Sequence, residues 1–90
     1  MDNVQGKLDA YRAKIDKIDT GIVALLSERM EVAGKIGKLK AEAGLPVLNA
    51  EREKALKERV SSMAPCELSS HISSIYDAIL KESRKYQGEK

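Results

Sequence analysis

The residues from Leu8 to Lys40 follow one uninterrupted helical pattern, and this pattern constrains the fold more than any other feature of the chain. At about 100° per residue, the apolar side chains fall on one side of an α-helix as a stripe about 100° wide. The stripe contains Leu8, Tyr11, Ile15, Ile18, Ile22, Leu25, Leu26, Ala33 and Ile36. A helix of about 35 residues is roughly 50 Å long. Because a compact chain of 90 residues is narrower than that, such a helix needs neighbours along its whole length.

Two cations interrupt this stripe. Arg29 and Lys40 project near its middle, within about 20° of each other around the helix axis. A charge on an inward face is costly to bury unless an anion meets it. The pattern therefore predicts that something anionic binds at this face.

Turn-forming residues end the first helix and begin the second. Gly44 suits the C′ position of a helix and Pro46 cannot continue one, so the first helix is predicted to end at about residue 42 or 43. Asn49 is a favourable N-cap for a second helix over residues 50–63. Its apolar line is Leu56, Val60 and Met63.

A third helix is predicted to begin after Ser69 or Ser70, either of which can act as its N-cap, and to end at about Gln87. Its apolar stripe is Ile72, Ile75, Tyr76, Ile79 and Leu80. The predicted fold class is all-α, with a long, a short and a medium helix in one domain over residues 1–90. Residues 1–6 and 88–90 are expected to be frayed ends.

Three glycines lie inside the first helix, at positions 21, 34 and 37. Each weakens a helix by about 1 kcal/mol relative to Ala. We therefore expect close backbone contacts at these positions.

Composition excludes several classes of function. The net charge of +2, with basic and acidic residues interleaved, is too small to indicate nucleic-acid binding. No apolar run approaches the roughly 20 residues that cross a bilayer, and no secretory signal opens the sequence. The single cysteine, Cys66, cannot form an intrachain disulfide, so the cytoplasm is the expected compartment.

Polar side chains lie on the inward face of each helix: Arg29 and Lys40 on the first, Arg52 and Glu53 with Asn49 beside them on the second, and Ser83 and Gln87 on the third. Each one alone is explained as a side chain at the edge of its stripe or a hydrogen-bonded core group. Together they also fit an internal pocket for a small polyanion.

Arg12 lies about 25 Å from Arg29 along the same helix. In an antiparallel dimer of long helices, Arg12 of the partner could reach the pocket instead. Taken alone, Arg12 is an exposed arginine.

Catalysis by a metal ion or a covalent intermediate has little support in the sequence. One His and one Cys make no metal-ligand cluster, and there is no Ser-His-Asp or Cys-His set. Any chemistry would depend on positioning and fixed charge.

The order and spacing of these residues resemble the all-helical class of chorismate mutases over residues 7–87. The segments that carry the resemblance are Leu8–Asp19, Leu25–Arg29, Gly37–Lys40, Pro46-Val47 with Glu51–Glu53, and Ser83 with Gln87. The resemblance implies an intertwined homodimer of three-helix chains, with two active sites shared between the chains. It also implies the cofactor-free and metal-free pericyclic conversion of chorismate, a dianion, to prephenate in aromatic amino acid biosynthesis.

The same resemblance implies a role for each polar residue. Arg29, with Arg12 of the partner subunit, would bind the two carboxylates, and Ser83 and Arg52 would support them. Lys40 and Gln87 would donate to the ether oxygen, and Glu53 would accept from the ring hydroxyl. Asn49 would lie near that hydroxyl, but relatives commonly carry Asp at this position, which weakens the acceptor role of Asn49.

Two other functions stay open at this point. An isochorismate-pyruvate lyase on the same scaffold would keep the arginines and the lysine, although Glu53 favours the mutase because we expect an apolar residue there in the lyase. A helical dimerisation or regulatory module without catalysis is the alternative from another class. It would not need the full set of Arg12, Arg29, Lys40, Glu53 and Gln87.

Overall fold

The computed structural model describes residues 2–88, without the side chain of Asp2, and it is all-helical over that range. The helices are α1 (Asp2–Ala43), α2 (Ala50–Met63) and α3 (Ser69–Gln87), with one turn of 3₁₀ helix (Cys66–Leu68) before α3. The predicted order of long, short and medium helix is confirmed. Residue 1 and residues 89–90, predicted as parts of frayed ends, lie outside the described residues. The remaining residues of the expected N-terminal lead-in already belong to α1.

The chain divides into two compact units, Met1–Glu31 and Val32–Lys90. The described part of the first unit is helical, and the apolar side chains of its stripe are largely exposed: Tyr11 is 63%, Ile15 55% and Ile18 60% exposed. Within residues 2–88, none of the helices combines the length and the apolar character needed to span a membrane.

The core of the second unit lies between α2 and α3. Leu56 and Val60 of α2 are buried against Leu80 of α3, and Ile72 and Tyr76 pack against this cluster. The spacing of four residues within each helix puts these side chains on one face, as the stripes predicted. Met63 continues the line of α2 but is 73% exposed, and α2 ends there.

The end of α1 is fixed by two backbone hydrogen bonds. Gly44 has φ +69°, its N–H donates to the carbonyl of Ala41 at 3.3 Å, and the N–H of Leu45 donates to the carbonyl of Lys40 at 2.8 Å. This pair of bonds is the Schellman motif, in which a glycine adopts the left-handed conformation just beyond the last turn. The predicted C′ role of Gly44 is confirmed, and the motif determines how the chain leaves Lys40.

The predicted caps of α3 are wrong. Leu68 occupies the N-cap position and makes no side-chain capping bond, while Ser69 is already the first helical residue. The hydroxyl of Ser69 instead donates to the carbonyl of Ser61 at 2.9 Å. A 3₁₀ turn leads into α3 in place of a serine cap, and in this turn the N–H of Leu68 donates to the carbonyl of Pro65 at 2.8 Å.

The close backbone contact expected at the three glycines is confirmed at Gly37 alone. A Cβ atom at Gly37 would lie 2.6 Å from the backbone oxygen of Gln87 and 2.7 Å from its Cα. A Cβ atom at Gly34 would lie 2.8 Å from Cε2 of Tyr86. At Gly21 no atom of the chain lies within 4 Å of such a Cβ. α1 at Gly37 and the last turn of α3 therefore touch backbone to backbone, which no other residue type permits without displacement.

Candidate active site

The ammonium group of Lys40 links three elements of the second unit. Its Nζ atom donates to the backbone oxygen of Val47 at 2.6 Å and to Oε1 of Gln87 at 3.0 Å. Lys40 lies one turn beyond Gly37, so the backbone contact at Gly37 brings the start of its side chain beside the end of α3. The side chain is half-buried. Because an ammonium group carries three N–H donors, two of them are engaged and one remains for a ligand.

The same contact fixes the orientation of the Gln87 amide. Lysine has donors and no acceptor, so the amide oxygen of Gln87 must face Lys40. The amide nitrogen then points away from Lys40 with two N–H donors. Lys40 and Gln87 thus offer hydrogen-bond donors at the junction of α1 and α3, in a half-buried position where electrostatic interactions are stronger than in water.

Glu53 is held by a residue that the sequence analysis missed. Nη1 of Arg84 donates to Oε1 of Glu53 at 2.6 Å and to Oε2 at 2.8 Å. The side chain of Arg84 is 22% exposed and that of Glu53 is 23% exposed, so the pair is largely removed from water. A carboxylate predicted on an inward face requires a cation partner, and that requirement was the signal available in the sequence. Nothing in the periodicity singled out Arg84, which follows the predicted Ser83 directly.

Of three other residues predicted for the site, one is buried and two are exposed. Ser83 on α3 is 4% exposed, so its inward position is confirmed. Asn49 is exposed and caps α2, because its Oδ1 accepts from the backbone N–H of Arg52 at 3.1 Å. The capping role predicted for Asn49 is confirmed. Arg52 itself is exposed, so its side chain does not lie on the buried line of α2.

The two arginines predicted to bind carboxylates lie in the first unit. Arg29 is half-buried and Arg12 is exposed. The structure therefore brings together Lys40 with Gln87, and Glu53 with Arg84, within the second unit. The roles of Arg29 and Arg12 stay predictions.

An open depression of about 350 Å³ lies beside Lys40. The last turn of α1, the connecting loop and the first turn of α2 form its wall, with Lys40, Leu45, Pro46, Leu48, Asn49, Ala50 and Glu51 as lining residues. Lys40 and Asn49, predicted as site residues from separate helices, thus line one depression. Among the described residues, no group of three or more His, Cys, Asp or Glu side chains is arranged to hold a metal ion.

Comparison with known proteins identifies the family to which this chain belongs. Residues 11–88 match the family model described as "Chorismate mutase type II". The chain is 37% identical over 57 residues to the chorismate mutase of Methanocaldococcus jannaschii, which covers 63% of this chain and 58% of that protein. It is 35% identical over 81 residues to the bifunctional chorismate mutase/prephenate dehydratase of Escherichia coli strain K12, covering 88% of this chain and 21% of that protein.

A third relative is the bifunctional chorismate mutase/prephenate dehydratase of Aquifex aeolicus, 41% identical over 54 residues, with 60% of this chain and 15% of that protein covered. This chain therefore spans less than two thirds of the length of the relatives it matches. No solved structure matches it.

Proposed function

Because this chain belongs to the chorismate mutase type II family, we propose that it converts chorismate to prephenate. In this rearrangement the bond between the ring carbon and the ether oxygen breaks while the methylene carbon of the enolpyruvyl group forms a C–C bond to the ring. The ether oxygen stays on the side chain as its new ketone oxygen, so no group is gained or lost. Negative charge grows on the ether oxygen as the C–O bond breaks. Catalysis then requires donors aimed at that oxygen in a site that holds the reacting conformation.

The contact between Lys40 and Gln87 is the observation that carries this proposal. It fixes an ammonium group and an amide on two different helices, and both keep N–H donors for the ether oxygen. Removing one donor of this kind lowers kcat by a factor of about 10² to 10³ in enzymes that stabilise an oxyanion. Because protein bonds already hold the two donors, little reorganisation is needed in the transition state.

The remaining polar residues are proposed to bind the rest of the dianion. Arg29 binds one carboxylate, and Arg12 of the partner subunit binds the other, while Ser83 and Arg52 support these contacts. Glu53 accepts a hydrogen bond from the ring hydroxyl, and Asn49 lies near the same group. The bonding of Glu53 supports its assignment as the acceptor from the ring hydroxyl. A carboxylate has about four acceptor positions, and the two bonds from Arg84 leave some of them available.

We propose that the partner subunit is a second copy of this chain, paired through α1 as an intertwined helical bundle. The exposed apolar stripe of the first unit supports a partner, since contiguous apolar surface of this kind marks an interaction site. A second copy brings the complementary stripe and the second set of cations at once. The cytoplasmic location and the independence from any cofactor stay predictions.

The direct test is to incubate the purified chain separately with chorismate and with isochorismate, and to measure the loss of substrate by absorbance and the formation of prephenate or pyruvate by chromatography. Formation of prephenate supports the proposal. Release of pyruvate from isochorismate, with no prephenate from chorismate, would identify the lyase instead. No conversion of either substrate by a chain of dimeric mass in light scattering would favour a regulatory module.

A further inference from the structure

The ion pair between Arg84 and Glu53 has no part in the mechanism above, although it involves a proposed substrate-binding group. We propose that Arg84 is a positioning residue that orients the Glu53 carboxylate toward the ring hydroxyl of the substrate. This inference rests on the proposed function, because it assumes that Glu53 binds that hydroxyl.

The geometry of the pair supports a positioning role. One nitrogen of Arg84, Nη1, bonds both carboxylate oxygens, at 2.6 Å and 2.8 Å. A nitrogen that bonds both oxygens restricts rotation of the carboxylate about its last torsion, which is otherwise broad. The restricted carboxylate presents its remaining lone pairs in one direction.

Burial makes the restriction effective. The two side chains are 22% and 23% exposed, whereas most of the charged side chains on these helices are exposed. A half-buried carboxylate without a cation would be costly, so a chain that keeps Glu53 inside for binding also needs its partner. Arg84 follows Ser83, which is buried on α3. Arg84 is thus next to an inward-facing position of α3, and its side chain extends across to Glu53 on α2.

A second ion pair between the same two helices provides the matched control. Lys57 of α2 bonds Asp77 of α3 at 2.5 Å, but these side chains are 37% and 58% exposed. Both pairs join α2 to α3, and only the first includes a proposed binding residue. Replacing Arg84 by Met and Lys57 by Met therefore removes one helix-to-helix ion pair in each variant, with an effect on binding expected only in the first.

The experiment measures kcat and KM for chorismate in Arg84→Met, Arg84→Lys, Lys57→Met, Glu53→Gln and the double variant Glu53→Gln/Arg84→Met. Arg84→Met should lower kcat/KM about tenfold, mainly through KM, because the loss is in a contact to bound substrate. Arg84→Lys should recover part of this loss, since a single nitrogen makes both bonds and lysine is one atom shorter. In the Glu53→Gln background, Arg84→Met should change kcat/KM less than threefold, because it acts through Glu53.

Thermal unfolding and circular dichroism establish that each variant is folded, with Lys57→Met as the reference for the loss of an ion pair. If Arg84→Met lowers kcat/KM no more than Lys57→Met does, or lowers it equally in the Glu53→Gln background, Arg84 is only structural and the inference is wrong. In either case an active wild-type enzyme leaves the proposed function intact. A folded wild-type chain without mutase activity would instead overturn both proposals.

Discussion

Gly37→Ala tests whether the backbone contact between α1 and α3 sets the geometry of the site. The added Cβ would lie 2.6 Å from the backbone oxygen of Gln87, 2.7 Å from its Cα and 2.9 Å from its Cβ. Ordinary contacts to a Cβ begin near 3.4 Å, so α1 at Gly37 and the last turn of α3 must separate by roughly 1 Å. The 3.0 Å bond between Lys40 and Gln87 would then lengthen beyond hydrogen-bonding distance.

Two effects follow from this displacement. Overpacking should lower the free energy of unfolding by about 1–3 kcal/mol, of which up to about 1 kcal/mol is recovered because Ala favours a helix over Gly. Activity should fall more steeply, by about 10²-fold in kcat, because a displacement near 1 Å misaligns the proposed donors. Urea unfolding and initial rates with chorismate measure the two quantities separately.

Gly34→Ala is the matched control, one turn earlier on α1. The three atoms nearest to its Cβ belong to the ring of Tyr86, the first being Cε2 at 2.8 Å, and the Tyr86 side chain is 60% exposed. We expect kcat within about threefold of the wild type for this variant, since a flexible side chain absorbs the methyl group. A folded Gly37→Ala enzyme with kcat as high as that of Gly34→Ala would refute the reasoning, because the helix contact would then not determine the position of Lys40.

The remaining predictions concern the proposed donors and the dimer. Lys40→Ala should lower kcat by about 10² to 10³-fold, whereas Lys38→Ala, which removes an exposed lysine two positions away, should leave it within about twofold; near-normal turnover of Lys40→Ala would exclude Lys40 from the mechanism. Gln87→Glu should make activity rise as the pH falls toward the ordinary carboxyl pKa, because only the protonated acid donates to the ether oxygen; an unchanged pH profile would contradict the donor role. Mixing inactive Arg12→Ala and Arg29→Ala dimers should restore part of the activity, because exchange creates one site with both arginines. Mass spectrometry must show that subunits exchange, and exchange without recovery would argue against a shared site.

The positions of the helices were predictable because they depend on local chemistry. Gly44 ends α1 in the left-handed conformation that is usual for a C′ glycine. Asn49 begins α2 with the side-chain bond that is usual for an asparagine N-cap. The start of α3 was not predictable in the same way. A 3₁₀ turn, in which the N–H of Leu68 bonds the carbonyl of Pro65, precedes the helix, and Leu68 takes the N-cap position that was predicted for a serine. A serine near a predicted start does not reveal whether its hydroxyl bonds forward or backward.

The candidate site was predictable to the level of which residues turn inward, but not of which residues pair. The stripes placed Lys40, Glu53 and Gln87 on inward faces, and all three are half-buried. The Arg84–Glu53 pair depends on how far α3 slides along α2, which no periodicity within one helix specifies. Arg52 shows the converse, because a position beside an apolar line can still be exposed when no other helix covers it.

Because its ammonium group bonds Val47, the side chain of Lys40 loses its rotamer entropy when the chain folds and not when a ligand binds. A free lysine side chain carries about 2 kcal/mol of rotamer entropy, and an anion that captures it must overcome that loss. Here the Schellman turn holds the backbone of Lys40 through Leu45, while Val47 and Gln87 hold its ammonium group. Both ends of the residue are ordered when the chain folds. An anion that binds beside Lys40 therefore meets a cation that is already immobile, and less of its binding energy is spent on ordering that side chain.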